Sequence, residues 1–181
     1  MIQFLPAFVS PDTCDTLSRW YFDNQHHFRT GTTWSAELHG LVRDERRRII
    51  TTDVTDLPLV AHDIGLELRR RYPMIQDSFA LFAHGITVSA IYPPGDFYTH
   101  TDTNYKKDGL SVVGFNLLVS QPEGGGVVTV KGQQYEMRQG DMMAYPITDY
   151  EHGVSAITGN TPRVMWSWRF YCDLKDWEAQ T

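Results

Sequence analysis

Apolar positions in the first third of the chain recur at helical spacing. Behind Ser10-Pro11-Asp12-Thr13, which supplies an N-cap, a first-turn proline and an early acid, Cys14, Leu17 and Tyr21 fall on one face. They predict a capped helix within Phe4 to Gln25. A second helix is predicted to open after Asp56, with Leu57, Ala61, Ile64, Leu68 and Tyr72 as one apolar stripe. Arg69 to Arg71 lie at the end that favours cations, and Pro73 stops it. The segment 30–55 between the helices is mixed, and its basic stretch Arg43 to Arg48 leads into Ile49-Ile50; strand pieces are expected there.

From Ala83 onward the pattern changes to short β-branched and aromatic runs broken by Gly, Pro, Asn or Asp, as in an all-β sandwich or barrel. Turn signals such as Pro93-Pro94-Gly95, Gly124-Gly125-Gly126 and Gly140-Asp141 separate runs at 84–92, 97–102, 110–119, 126–131, 133–138, 141–146, 151–157 and 162–171. This is the strand content of a jelly roll, and no helix is expected in this half. The fold expected is mainly β with N-terminal helices: a double-stranded β-helix, or cupin-like jelly-roll barrel, of about eight strands. With 181 residues, one domain is expected, residues 1–82 forming a helical support region and 83–172 the jelly-roll core.

Composition narrows the partners. A formal net charge of -6 disfavours a nucleic-acid backbone as ligand. Met1 to Ser10 carries neither Lys nor Arg, and no stretch approaches the ~20 apolar residues of a membrane helix. A cytoplasmic protein without membrane or nucleic-acid partners is therefore expected. Cys14 and Cys172 form no CxxC pair and are read as buried free thiols.

The chemistry begins at His100-Thr101-Asp102. Residues i and i+2 of a strand share a face, so the pair offers an imidazole and a carboxylate to one point. Alone, such a pair is as readily a surface hydrogen bond. Asp149-Tyr150-Glu151-His152-Gly153 adds a second imidazole on a later strand, followed by Arg163 on the last. Two imidazoles and one carboxylate are the ligand set of non-haem Fe(II) oxygenases, although zinc hydrolases use it as well.

With these residues in place, the chain resembles the Fe(II)/2-oxoglutarate-dependent dioxygenase superfamily and, within it, the prolyl-hydroxylase-like branch. The resemblance runs through Tyr92-Pro93-Pro94-Gly95-Asp96-Phe97-Tyr98-Thr99-His100-Thr101-Asp102 and Glu123-Gly124-Gly125-Gly126. It continues through Gln139-Gly140-Asp141-Met142-Met143-Ala144-Tyr145 and His152-Gly153-Val154, and closes on Pro162-Arg163-Val164-Met165-Trp166-Ser167-Trp168. It implies that His100, Asp102 and His152 hold Fe(II) and that Arg163 pairs with the distal carboxylate of 2-oxoglutarate. A planar guanidinium fork suits that carboxylate.

The resemblance also implies O2 as oxidant, ascorbate as a supporting reductant, and succinate and CO2 as co-products. Tyr92 matches a strand tyrosine that hydrogen-bonds the co-substrate, while its residue type alone fits a core aromatic equally well. Where relatives carry a further tyrosine, this chain has Phe115-Asn116-Leu117, which makes Asn116 a candidate for positioning the co-substrate. Halogenases of the superfamily lack the carboxylate found here as Asp102, so oxidation of a C–H bond is expected.

Candidate substrate contacts are Trp34, His39, Arg46 to Arg48, Thr103-Asn104-Tyr105, Trp166 and Trp168, the last with a second reading as packing beside the iron pocket. A guanidinium from Arg46, Arg47 or Arg48 suits the carboxylate of a free amino acid, whereas charge runs are more often solvated faces. His26, His27, His39, His62 and His84 lack a partnered spacing and are read as surface or core histidines. The expected substrate is a small amino-acid-like metabolite. The alternatives are a peptide or protein side chain, a metal- or carboxylate-binding cupin-like module without turnover, and a metal-dependent hydrolase.

Overall fold

A computed structural model of the chain describes residues 1–35, 40–50, 56–78 and 85–180. The first helix, α1, covers Pro11–Asp23; the Ser10 side chain caps it by accepting from the Thr13 N–H at 3.3 Å. Cys14, Leu17 and Tyr21 are its buried residues. The second helix, α2, covers Leu59–Arg71 and buries Ala61, Ile64 and Leu68. Leu57 and Tyr72, outside its ends, are also buried.

Phe4 is not helical. It belongs to a short strand β1, Gln3–Leu5, paired antiparallel with β10, Met142–Pro146. That pairing joins residues distant in sequence, so no local periodicity announces it. Segment 30–55 supplies a hairpin of β2, Phe28–Ser35, and β3, Gly40–Ile50. The eight expected runs correspond to β4 (Ile86–Ile91), β5 (Phe97–His100), β6 (Ser111–Ser120), β8 (Val128–Val130), β9 (Gln133–Tyr135), β10, β11 (His152–Val154) and β13 (Arg163–Cys172). Two-residue strands β7, Gly124–Gly125, and β12, Ile157–Thr158, pair with each other. The second half is not free of helix: a 3-10 turn covers Thr103–Tyr105 and a short α3 covers Leu174–Glu178, its N-cap Asp173 accepting from the Lys175 N–H.

The strands form a seven-stranded sheet, β1-β10-β6-β13-β4-β3-β2, and a four-stranded sheet, β5-β11-β8-β9. Jelly-roll topology follows from crossovers in which β10 and β13 flank β6, while β11 sits between β5 and β8. The N-terminal third thus contributes three strands to the larger sheet besides its helices.

Alternation along the strands gives that sheet two apolar faces. One, carrying Val88, Phe115, Leu117, Trp166 and Trp168, packs in one cluster with α1 and α2. The other, carrying Val112, Leu118, Met143 and Tyr145, packs with Val128 and Val130 of the smaller sheet. Because both its faces are covered, β6 reads as a nearly continuous apolar run. Cys14 and Cys172 are free and buried. No helix among the described residues is long and apolar enough to cross a membrane.

Candidate functional site

The site lies between the two sheets. His152 opens β11 and is the register partner of His100, the last residue of β5. Their ring centroids stand 4.5 Å apart. Gly153 makes this approach possible, because a Cβ there would come within 2.9 Å of the Phe97 carbonyl and 3.0 Å of Thr99 Oγ1. Asp102 lies two residues beyond His100, just outside the strand, with its backbone N–H donated to the Ile147 carbonyl at 3.0 Å. One ligand atom from each of His100, Asp102 and His152 falls within 4.8 Å of the others, and His100 Nε2 is 3.3 Å from Asp102 Oδ1.

Each imidazole is oriented by the same local device. His100 Nδ1 lies 2.9 Å from the Tyr98 carbonyl and His152 Nδ1 2.9 Å from the Tyr150 carbonyl. A carbonyl only accepts, so each Nδ1 carries the proton in that contact and each Nε2 faces the cluster. Burial holds His152 far below the usual imidazole range, at about 4, against the opposing pull of its Tyr150 hydrogen bond. It is therefore neutral, the form that binds metal. Burial would raise the Asp102 carboxyl, but the His100 hydrogen bond and the nearby charges, Arg169 foremost, keep it below its ordinary value and ionised. Two imidazoles and one carboxylate, gathered at a common point, form a donor set that can hold a divalent cation.

Arg163, at the start of β13, forms another wall of the cavity that Asp102 and His152 line. It is 3% exposed, and its Nε is buried without a hydrogen-bond partner. Among the described residues its guanidinium makes one weak hydrogen bond, Nη2 to Met137 Sδ at 4.0 Å. Burial pulls its pKa down to about 10, with Tyr145 opposing. A cation kept this far from water, with a donor unused, is chemically suited to pair with an anion. Gly126 provides room for it: a Cβ there would stand 3.3 Å from Arg163 Cδ.

Alternation along β13 sorts the remaining expected residues. Arg163, Met165, Ser167 and Arg169 face the cavity. Trp166 and Trp168 have the opposite parity and lie in the helix-facing core at 0% and 1% exposure. Trp166 meets the Trp20 ring edge-on, and Trp168 Nε1 donates to the Ala61 carbonyl at 2.8 Å. Their expected role as substrate contacts, and that of Trp168 beside the metal pocket, is corrected accordingly. Tyr92 is corrected as well: its hydroxyl lies 2.8 Å from that of Tyr21, and the ring packs on the helix-facing core.

Asn116 does line the cavity, but its amide protons go to the Gly114 and Met143 carbonyls and its oxygen accepts from Ser167. Its visible work is to tie β6 to β10 and β13.

Of the Arg46 to Arg48 run, only Arg47 lines the cavity. Arg46 pairs with Asp44, and Arg48 pairs with Glu45 and lies over the Tyr92 ring. Asn104 is exposed and Tyr105 packs on the second core cluster; neither lines the cavity. The Trp34 side chain, His39 and His84 lie outside the described residues. His26, His27 and His62 are absent from the one ligand cluster found among those described. Of the other cavity residues, Phe97, Tyr145 and Arg169 were not among the expected site residues. For Tyr145 and Arg169 the signal was strand parity with Met143 and Arg163.

No family model and no curated protein matches the sequence. Solved structures do match in shape. A Pseudomonas putida prolyl-4-hydroxylase shares 14% identity over 94% of this chain and 92% of its own, with a TM-score of 0.62. HygX from Streptomyces hygroscopicus, solved with nickel and 2-oxoglutarate, shares 11% over 96% and 83%, at 0.61. A Trichoplax adhaerens prolyl hydroxylase in complex with a hypoxia-inducible-factor peptide fragment shares 11% over 99% and 87%, at 0.67. The chain shares its fold with these structures.

Proposed function

We propose that this chain, acting as a single domain, is a non-haem Fe(II)- and 2-oxoglutarate-dependent oxygenase. In this reading it hydroxylates, or otherwise oxidises, a C–H bond of a small amino-acid-like molecule. One observation carries the reading: a His-Asp-His donor set and a buried, partly unpartnered guanidinium share one cavity. A binding module for a metal alone has no use for Arg163.

His100, Asp102 and His152 would hold the metal, and Arg163 would pair with the distal carboxylate of 2-oxoglutarate, with Tyr145 beside it. The chemistry supplied by Fe(II), 2-oxoglutarate and O2 is insertion of one oxygen atom into the substrate and of the other into succinate, with release of CO2. The protein's own contribution is electrostatic and steric. Tyr98 and Tyr150 fix the imidazole tautomers through their carbonyls. Apolar walls such as Met137, Met143 and Ile147 keep water from the cavity. The unpaired, buried cysteines suit a reducing compartment, which supports the cytoplasm as its location.

The test is succinate formation from 2-oxoglutarate, with and without Fe(II), across a panel of free amino acids and short peptides. Fe(II)-dependent, substrate-stimulated succinate that disappears in His152→Ala is expected. Tight ligand binding without succinate under any substrate would mark a non-catalytic module, and Zn(II)-supported activity without O2 a hydrolase. A peptide substrate is the second reading, favoured by the peptide bound to the Trichoplax neighbour. The same panel separates it.

A further inference from the structure

The arginines between residues 43 and 48 divide by partner. Arg43 Nε pairs with Glu45 at 2.8 Å, Arg46 Nε with Asp44 at 2.9 Å and Arg48 with Glu45 at 3.9 Å. Among the described residues no carboxylate comes within ion-pair distance of Arg47. Its guanidinium lies over the Phe97 ring, 3.9 Å from the centroid, and donates to the Thr32 carbonyl. Phe97 in turn packs on His100, with ring centroids 4.4 Å apart, so the Arg47 charge stands one ring away from the donor set. It lines the same cavity as Asp102 and Arg163.

Register adds a second constraint. Arg47 is opposite Ile91, and Ile91 is opposite Arg163 on its other side. The two side chains thus start from one row of the sheet about 10 Å apart. Arg163 is the buried partner for the co-substrate, and one guanidinium fork engages one carboxylate. A second cation, stacked on an aromatic face and without an ion-pair partner among the described residues, is set up for a second anion. Arg169 adds positive potential from the far part of the same wall.

We infer that Arg47 binds a carboxylate of the primary substrate, so that this pocket takes a small free acid and not a residue within a polypeptide. The inference rests on the oxygenase reading and narrows its substrate class.

The test uses the full chain loaded with Fe(II) and 2-oxoglutarate without O2. The proteinogenic L-amino acids, their carboxamides and short peptides blocked at both ends are titrated in. Binding is read from the visible Fe(II)–2-oxoglutarate charge-transfer band. At least one free acid is expected to perturb the band, with its amide binding about tenfold or more weaker. Arg47→Met, which keeps a stem over Phe97 without the charge, should bring acid and amide to nearly equal affinity. Arg47→Lys should keep most of the preference, and neither variant should weaken 2-oxoglutarate binding appreciably.

The inference is overturned if acids and amides bind alike, if no free acid binds, or if a blocked peptide binds best. It is also overturned if Arg47→Met keeps the preference or loses 2-oxoglutarate instead. These outcomes leave the oxygenase reading intact; a missing band in the wild-type protein removes that reading, and this inference with it.

Discussion

His100 and His152 are direct register partners across the antiparallel pair β5–β11, their rings 4.5 Å apart and each Nδ1 held by the carbonyl two residues before it. Repeating one device on two strands turns both Nε2 atoms toward the cluster shared with Asp102, without help from a distant support. The donor set is thereby organised by backbone pairing, and Gly153 is what lets the strands come close enough.

His152→Ala removes one of three donors while leaving the strand pairing in place. Fe(II) affinity should fall by about 100-fold or more. Equilibrium dialysis checks this, with circular dichroism to establish that the fold persists. Affinity equal to wild type would show that the metal is held elsewhere.

Burial of neutral His152 links stability to pH in the metal-free protein. The folded pKa of about 4 lies below the ordinary imidazole value of 6.5, so the unfolded chain binds the extra proton first as pH falls. The contribution of the neutral, buried imidazole is fully present above pH 6.5 and is lost as pH drops from there through 4. The loss should amount to about 3 kcal/mol. Urea unfolding of metal-free wild type and His152→Phe across this window should show a steeper acid loss in the wild type. Parallel profiles would count against the assignment.

Arg163→Met should separate stability from binding. A buried guanidinium with an unused donor destabilises the ligand-free protein, so replacing it with an apolar chain of similar length should stabilise that state by about 1–3 kcal/mol. Binding of 2-oxoglutarate should weaken by about 100-fold, while Fe(II) affinity stays near wild type. Thermal melts with and without 2-oxoglutarate measure both effects: the ligand should raise the wild-type midpoint and leave the variant's unmoved. A variant that is less stable and still binds would make Arg163 a structural residue.

Much of this site was legible because its members carry rare chemistry at strand spacing. His100-Thr101-Asp102, His152-Gly153 and Arg163 could be named from the sequence; in the structure His100, Asp102 and His152 form one ligand cluster, and Asp102, His152 and Arg163 line one cavity. What was not legible depended on which side of a strand a residue takes. Trp166 and Trp168 looked like pocket residues because they neighbour Arg163 in sequence, yet parity sends them to the helices. Parity also pointed to Arg169. Within the Arg46 to Arg48 run the sequence could not pick out Arg47: its neighbours find acids within the hairpin, a distinction made by geometry and not by composition. The strand β1 was missed because its partner, β10, lies near the other end of the chain.

Trp168→Phe tests the parity argument itself. The indole is 1% exposed, its Nε1 donates to the Ala61 carbonyl within α2, and Gly65 of the same helix lies so close that a Cβ there would be 3.3 Å from Trp168 Cδ1. The side chain therefore clamps α2 to the sheet from the face opposite the cavity. Removing the indole nitrogen and its ring should cost about 2 kcal/mol, from the lost hydrogen bond and the space left behind. Because the change is confined to the helix-facing side, Fe(II) and 2-oxoglutarate affinities should stay near wild type. Denaturant unfolding and ligand titration on the same sample make the comparison. Weakened 2-oxoglutarate binding with unchanged stability would mean that β13 presents its tryptophans to the pocket, and with that the orientation argued for Arg163 would fail too.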